Sequence, residues 1–235
     1  MSSRVKAKQA NRVVRAQLAA EARRRRTIVV SIVAVAALVI AGLIGWGIYT
    51  SQKPTDTFAV PAGADSTHTG IMVATGTKTV DLYLDYLCPI CKNFEDTAQP
   101  TLDDLVKQKK ITLTYHPIAI LDDRSNPAGY STDAGSAAGC AADGGKFLEY
   151  TKALYAKQPT EGSAGLSTDE LVQIGTSVGL TGTTFTQCVQ TGKYKPWMAH
   201  NTDSAAGNNI NGTPTLLVNG KPVDATLNTL KAAVG

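Results

Sequence analysis

A short alternating run that ends in two cysteines constrains this chain more than any other stretch: Val80-Asp-Leu-Tyr-Leu-Asp-Tyr-Leu-Cys88-Pro-Ile-Cys91-Lys-Asn-Phe94-Glu95. Val80, Leu82 and Leu84 fall on one face and Asp81, Tyr83 and Asp85 on the other, which predicts a strand, and the amphipathic segment beginning at the cysteines predicts a helix. The dithiol therefore opens a helix. Unsatisfied N–H groups and the aligned peptide dipoles place partial positive charge there, favouring a thiolate over a thiol. Cys88 is expected to be the acidic, exposed and reactive sulfur, and Cys91, one turn further in, the more buried sulfur that resolves a mixed disulfide. Pro89 sits at the helix start, where a missing N–H is not needed. A bare C-x-x-C is also compatible with half of a zinc site or with an inert bridge, and both remain open on spacing alone.

The net charge of +4 divides unevenly along the 235 residues. Residues 1–26 hold nine Lys or Arg against Glu21 alone, so the remainder sums to −4. That leaves no basic domain to hold nucleic acid and makes the positive charge a matter of membrane topology. Residues 28–49 are free of charge, and at ~1.5 Å per residue they reach roughly 33 Å, enough for a hydrocarbon core of ~30 Å. We expect a single transmembrane helix over 27–50, preceded by a basic cytoplasmic tail over 1–26. The arginine cluster before the span orients the rest of the chain outward, and Trp46 and Tyr49 suit the outer interface. A cleaved signal peptide is the alternative, but its apolar core is shorter, ~7–15 residues. Residues 51–67 are rich in small polar residues, proline and glycine and are expected to form a tether.

Beyond the tether, the pattern predicts a short strand at 70–76, the strand at 79–86, a helix from Cys91 to Gln108 kinked at Pro100, and a third strand at 111–118. From about 121 to 201 the pattern becomes helical, broken at Gly144-Gly145 and reopened by a capping box at Ser167-Thr-Asp-Glu170. Thr215 to Gly220 restores strand chemistry, with Asn219-Gly220 as a hairpin turn, and Leu227 to Val234 predicts a last helix. The soluble part is best assembled as one α/β sheet with a helical insertion, because the terminal hairpin needs the earlier strands as partners. Cys140 and Cys188 both lie in the helical block. Joining them would close a loop of about 49 residues, worth about 4 kcal/mol in the chain-entropy account, so a structural disulfide is expected over two free buried thiols.

With Cys88-Pro-Ile-Cys91 after a strand and Gly212-Thr213-Pro214-Thr215 before the final hairpin, the chain resembles the thioredoxin superfamily. The long helical block between these motifs is similar to the DsbA-like branch in its membrane-tethered form. The resemblance covers about residues 68–235. It implies a thioredoxin-like fold, Cys88 as attacking cysteine, Cys91 as resolving cysteine and Pro214 as a cis-proline facing them. It also implies a thiol:disulfide oxidoreductase acting on unfolded exported proteins, with a quinone-linked membrane protein as redox partner and no cofactor or metal. A cis bond before Pro214 would turn the chain and expose the backbone of Thr213 to an extended substrate.

Tyr86, Leu87, Pro89, Ile90 and Thr213 are candidates for an apolar docking surface, each equally able to be core. Glu95 could relay a proton to Cys91, although a solvated helix-face carboxylate is the simpler expectation, and His116 is expected near the sheet edge. Oxidase, isomerase and reductase share these motifs. Copper or zinc delivery by the dithiol is a different class; it would want a nearby His or Met ligand, and His116, Met72 and Met198 stand at no motif spacing from the cysteines.

Overall fold

The structure is a computed structural model that describes residues 58–235 and, before them, Val39 alone. The tail expected at 1–26, the span expected at 28–49 and residues 51–57 of the tether lie outside the described residues, Val39 excepted. Among the described residues no helix is long and apolar enough to cross a membrane.

The alternating run forms β2 (Lys78–Leu84), the centre of a five-stranded sheet ordered β1-β3-β2-β4-β5. β1 is Ile71–Ala74, β3 is Ile111–Pro117, β4 is Thr215–Val218 and β5 is Lys221–Val223. β2 and β3 run parallel, so they need a crossover, and the dithiol helix α1 (Pro89–Lys107) supplies it. The register sets Val80 and Leu82 beside Leu113 and Tyr115 on one flank and beside Val218 and Leu216 on the other. These six side chains form one buried face. Phe94, Ala98, Leu102 and Leu105 of α1 are buried in the same core, together with Leu230 and Val234 of the C-terminal helix α7 (Leu227–Val234). The hairpin turn falls at Asn219 and Gly220, both with positive φ, as a two-residue turn between right-twisted strands requires.

Between β3 and β4 lies the helical insertion: a 3-10 turn at Asp122–Arg124, then α2 (Tyr130–Asp143), α3 (Phe147–Ala156), α4 (Thr168–Ser177), α5 (Thr183–Thr191) and α6 (Lys195–Gly207). Alanines and glycines let α2 bury most of its surface at the centre of this block. A Cβ on Gly135 would stand 2.3 Å from Met198 of α6, which is the close approach that glycine permits. Ser167 and Glu170 form the capping box at the start of α4, and Cys140 of α2 is joined to Cys188 of α5 with a Cα separation of 5.9 Å.

α1 continues through Pro100, which is exposed on its outer side. Three features depart from the sequence reading. β3 is an interior strand, so His116 is buried and stacked on Tyr83 at 4.4 Å rather than placed at an edge. Residues from Phe58 onward, within the stretch expected to be tether, belong to the compact unit that runs to Gly235. Ala62 N–H donates to Asp143 at 2.9 Å, the Phe58 ring lies 4.6 Å from that of His200, and Trp197 Nε1 donates to the His68 carbonyl at 2.7 Å. These contacts are with the insertion, which a local composition cannot register. Lastly, Asp85 does not follow the polar face of β2 to solvent but is wholly buried where the insertion folds over the strand end.

Candidate active site

Because β2 and β4 are antiparallel neighbours with Tyr83 opposite Thr215, the residues that follow β2 and those that precede β4 meet at one end of the sheet. Cys88 and Thr213 are thereby brought together, 125 residues apart in sequence: the Cys88 thiol donates to the Thr213 carbonyl at 3.4 Å, and the Thr213–Pro214 peptide is cis. Cys88 is also the N-cap of α1. Its backbone is extended (φ −72°, ψ 115°), its Sγ accepts from the Cys91 N–H at 3.4 Å, and its own N–H donates to the Asp85 carbonyl at 3.0 Å. Pro89 occupies the first turn, where it removes a donor that has no helical partner.

Both cysteines are free thiols. Cys88 was expected to be exposed, yet it is 5% exposed against 1% for Cys91. The cis-proline loop lies against its sulfur, and Gln158 Nε2 donates to the carbonyls of Tyr86 and Cys88, both at 3.0 Å, bracing the loop from the insertion. The two sulfurs nonetheless differ sharply in acidity. Cys88 is lowered to about 6, chiefly by the Cys91 thiol donating to it; burial opposes, and the Thr213 side chain and the backbone N–H groups of Cys91 and Ile90 assist. Cys91 is driven far upward by burial and by giving its proton to the Cys88 sulfur. The site therefore favours a thiolate at Cys88 beside a thiol at Cys91.

Two buried carboxyls flank the pair. Glu95, expected in solvent, is 4% exposed and its carboxyl is pushed up to about 7 by burial, with the Tyr115 hydroxyl opposing. It stands four residues after Cys91 on the same buried face of α1, where positions i and i+4 are neighbours. Asp85 is pushed up to about 6, again by burial, against hydrogen bonds from Ser131 (2.6 Å), Leu87 N–H (2.8 Å) and Leu121 N–H (2.9 Å). This one carboxylate ties the dithiol loop to the 3-10 turn and to α2. Asp85, Gln158 and Tyr155, whose hydroxyl donates to the Asp85 carbonyl at 3.1 Å, were not singled out from the sequence for the site. The only local signal was an aspartate at the very end of a buried strand.

Of the suggested docking residues, Tyr86 and Leu87 are core, Pro89 is exposed and Ile90 is 65% exposed beside the dithiol. Thr213 and Pro214 are half-buried. Among the described residues no group of three or more His, Cys, Asp or Glu side chains is arranged to hold a metal ion.

A family model described as thioredoxin matches residues 70–235. The chain belongs to the thioredoxin family. Within that superfamily it is DsbA-like. The structure of reduced DsbG from Mycobacterium tuberculosis, titled a disulfide bond oxidoreductase, is 31% identical, with a TM-score of 0.63 over 73% of this chain and 88% of that one. Oxidised DsbA from the same organism is also 31% identical, with a TM-score of 0.61 over 70% of this chain and 90% of the other. BdbD from Bacillus subtilis, 20% identical with a TM-score of 0.61 over 76% of this chain and 97% of that one, shares the fold. Among curated proteins, the serine/threonine-protein kinase PknE of M. tuberculosis is 30% identical over 146 residues, which are 58% of this chain and 26% of the kinase. This chain thus spans about a quarter of the curated relatives it matches.

Proposed function

We propose that the protein is a thiol:disulfide oxidoreductase that introduces disulfides into exported proteins through Cys88 and Cys91. The observation that carries this reading is the Cys88 sulfur itself: at a helix N-cap, against the backbone of Thr213 before cis-Pro214, and shifted to about 6 while its neighbour is shifted the other way. In the oxidised protein a client thiolate attacks the Cys88 sulfur. The Cys88–Cys91 bond breaks, and its electron pair leaves on Cys91, which takes up a proton. A second client thiolate then attacks the client sulfur of the mixed disulfide, releasing an oxidised client and Cys88 as thiolate. Two client thiols are oxidised, the enzyme disulfide is reduced, one proton stays on Cys91 and one leaves to solvent.

We assign the supporting roles on the same reading. Thr213 offers backbone to an extended client strand, with Pro89 and Ile90 as the apolar floor beside it. Glu95, four residues past Cys91 and holding its proton near neutrality, is the proton relay to that sulfur. Cys140–Cys188 serves the fold rather than the reaction. The basic tail and the apolar segment at 28–49 anchor the chain in the cell membrane with the dithiol domain outside, where disulfides persist. A quinone-linked membrane protein resets the dithiol.

Acidity sets the direction of electron flow. Thiolates near 7 accompany potentials of about −270 mV and those near 3.5 about −120 mV, and Cys88, lowered to about 6, lies between these extremes. That is a mild couple, and it favours isomerase or reductase action as the second reading if the partner delivers electrons instead of removing them.

The test is oxidation of a reduced, unfolded protein by the oxidised full-length chain, with Cys88→Ala as control, together with the potential measured against glutathione. Client oxidation that depends on Cys88 supports the reading; a wild-type chain that neither accepts nor donates a disulfide overturns it. Labelling of Cys88 in intact cells by a membrane-impermeant thiol reagent tests the orientation, which protection of Cys88 in intact but not lysed cells would refute.

A further inference from the structure

Charge is spread unevenly over the described domain. From residue 58 onward the chain holds thirteen Lys and Arg against seventeen Asp and Glu. β2 and β3 run parallel, so both begin at the end of the sheet away from the dithiol, and six lysines gather there. Lys78 opens β2 with its N–H donating to the Lys110 carbonyl at 3.0 Å, and Lys107, Lys109 and Lys110 form the end of α1 and the turn into β3. Lys221 follows the Asn219-Gly220 turn, which is held to β2 by the Thr79 N–H donating to Asn219 Oδ1 at 3.0 Å. Lys231 lies one turn before Gly235, whose carbonyl accepts from Lys78 Nζ at 3.2 Å. That contact engages Lys78; the other five are exposed. The neighbouring carboxylates are Asp103 and Asp104, a turn before Lys107, and Asp103 is already bridged to Lys152. The rest of the domain is left with seven cations against fifteen carboxylates. Pairing follows the same division. Away from this pole every cation but Lys157 forms an ion pair, whereas the five exposed pole lysines form none among the described residues. Like charges gathered without counter-charge repel one another, and an external anionic surface relieves that repulsion.

We propose that this lysine pole is a docking surface for anionic lipid headgroups, which seats the domain on the bilayer with the dithiol at the far end. This rests on the proposed anchoring of the chain through residues 28–49 and adds how the domain is held once anchored. A lipid surface is the polyanion within reach: the eight residues between the apolar segment and Phe58 extend to at most about 28 Å, so an anchored chain keeps the domain beside the headgroups. Each lysine near an anionic surface is drawn to its negative potential, and the pull fades within a Debye length of about 8 Å. The acidic remainder of the domain is repelled by the same surface, so attraction at one end and repulsion at the other set a single orientation. β2 rises about 20 Å over its seven residues, and the dithiol lies beyond its far end, more than two Debye lengths from the lysines. Docking therefore turns Cys88, Pro89 and Ile90 towards exported chains and leaves the acidity of the sulfur alone.

The experiment is acylation of lysines by a water-soluble amine reagent, read residue by residue by mass mapping, on the full-length chain in lipid nanodiscs of phosphatidylcholine alone or of an equal mixture with phosphatidylglycerol. In the anionic discs Lys107, Lys109, Lys110, Lys221 and Lys231 are expected to react about 3-fold or more slowly than in neutral ones, and about 1 M salt, which shortens the Debye length to about 3 Å, should remove the difference. Lys146, Lys152 and Lys195 should react alike in both. Equal rates at the pole lysines in the two lipids would overturn the proposal, as would slowing shared by all the lysines after residue 58. The triple variant Lys109→Glu, Lys110→Glu and Lys221→Glu changes only exposed side chains. It should lose the slowing at Lys107 and Lys231 and keep the wild-type alkylation titration of Cys88; slowing that persists would refute lipid docking. Polyglutamate that slows the same lysines in neutral discs as strongly as anionic lipid does would assign the pole to an acidic polymer, and the lipid proposal would fall. A chain that does not stay in neutral discs fails the anchoring and not the pole, which slowing at the pole lysines in anionic discs, and its loss in the triple variant, then decides.

Discussion

The chain carries two pairs of cysteines, and the fold treats them in opposite ways. Cys88 and Cys91 are separated by one helical turn, sit where the sheet end meets the cis-proline loop, and are free. Cys140 and Cys188 are 48 residues apart, come from the last turn of α2 and the middle of α5, and are joined. Sulfur chemistry is the same in both, so placement decides the difference. At the first pair, donors converge on one sulfur and apolar burial surrounds the other, which separates their acidities and prepares one as leaving group and the other as attacking group. At the second, two helix interiors hold the sulfurs at bonding distance and no polarising donor is needed. Reactivity here is a property of the helix end and not of the residue.

That contrast can be broken in several places. The largest expected effect is Cys88→Ala, which should abolish oxidation of a reduced client, whereas Cys140→Ala with Cys188→Ala should leave the per-molecule rate of folded protein nearly unchanged and lower unfolding free energy by about 4 kcal/mol in denaturant titration. Comparable loss of activity in both variants would erase the distinction.

Next comes pH-dependent stability at Glu95. Its folded carboxyl is raised from 4.5 to about 7, so the folded state holds the proton more tightly than the unfolded chain and stability falls as pH rises through that interval. Glu95→Gln removes the penalty, with an expected gain of about 3 kcal/mol above the neutral range that shrinks to nothing by about pH 4. A gain independent of pH would show that packing, not ionisation, is responsible.

The acidity contrast itself is sharpened by comparing Cys91→Ala with Thr213→Val. Thiolate absorbance should report a rise in the Cys88 pKa in both, larger in Cys91→Ala because the Cys91 thiol is the leading donor to that sulfur. The reverse order would place the cis-proline loop in charge. The smallest effect is expected from Ile90→Ser, which leaves the sulfur's donors intact and should raise KM for an unfolded client a few fold, with little change toward dithiothreitol.

Much of this arrangement is legible from local sequence. Alternation at Val80–Leu84, the dithiol at the start of α1, Gly144-Gly145 ending α2, the Ser167–Glu170 box and the Asn219-Gly220 turn are all governed by near neighbours, and each pattern has one physical solution. What escaped is set by distant packing. Glu95 has the sequence environment of a solvated carboxylate, and it is buried by packing with distant parts of the chain, Tyr115 of β3 among them. Strand order is likewise not written locally, so nothing around His116 announces that β1 and the residues from Phe58 onward will cover its strand. Asp85 gains its role from Leu121 and Ser131, and Gln158 from carbonyls some seventy residues away.

The central position of β2 has a consequence for biogenesis. One neighbour, β3, is made soon after it, but the other, β4, is the segment that brings Thr213 and Pro214 against the sulfur. Cys88 is therefore synthesised 125 residues before Thr213. Only when the terminal hairpin docks does the sulfur gain the last of the donors that lower its pKa, so the acidity contrast is complete only in the finished fold.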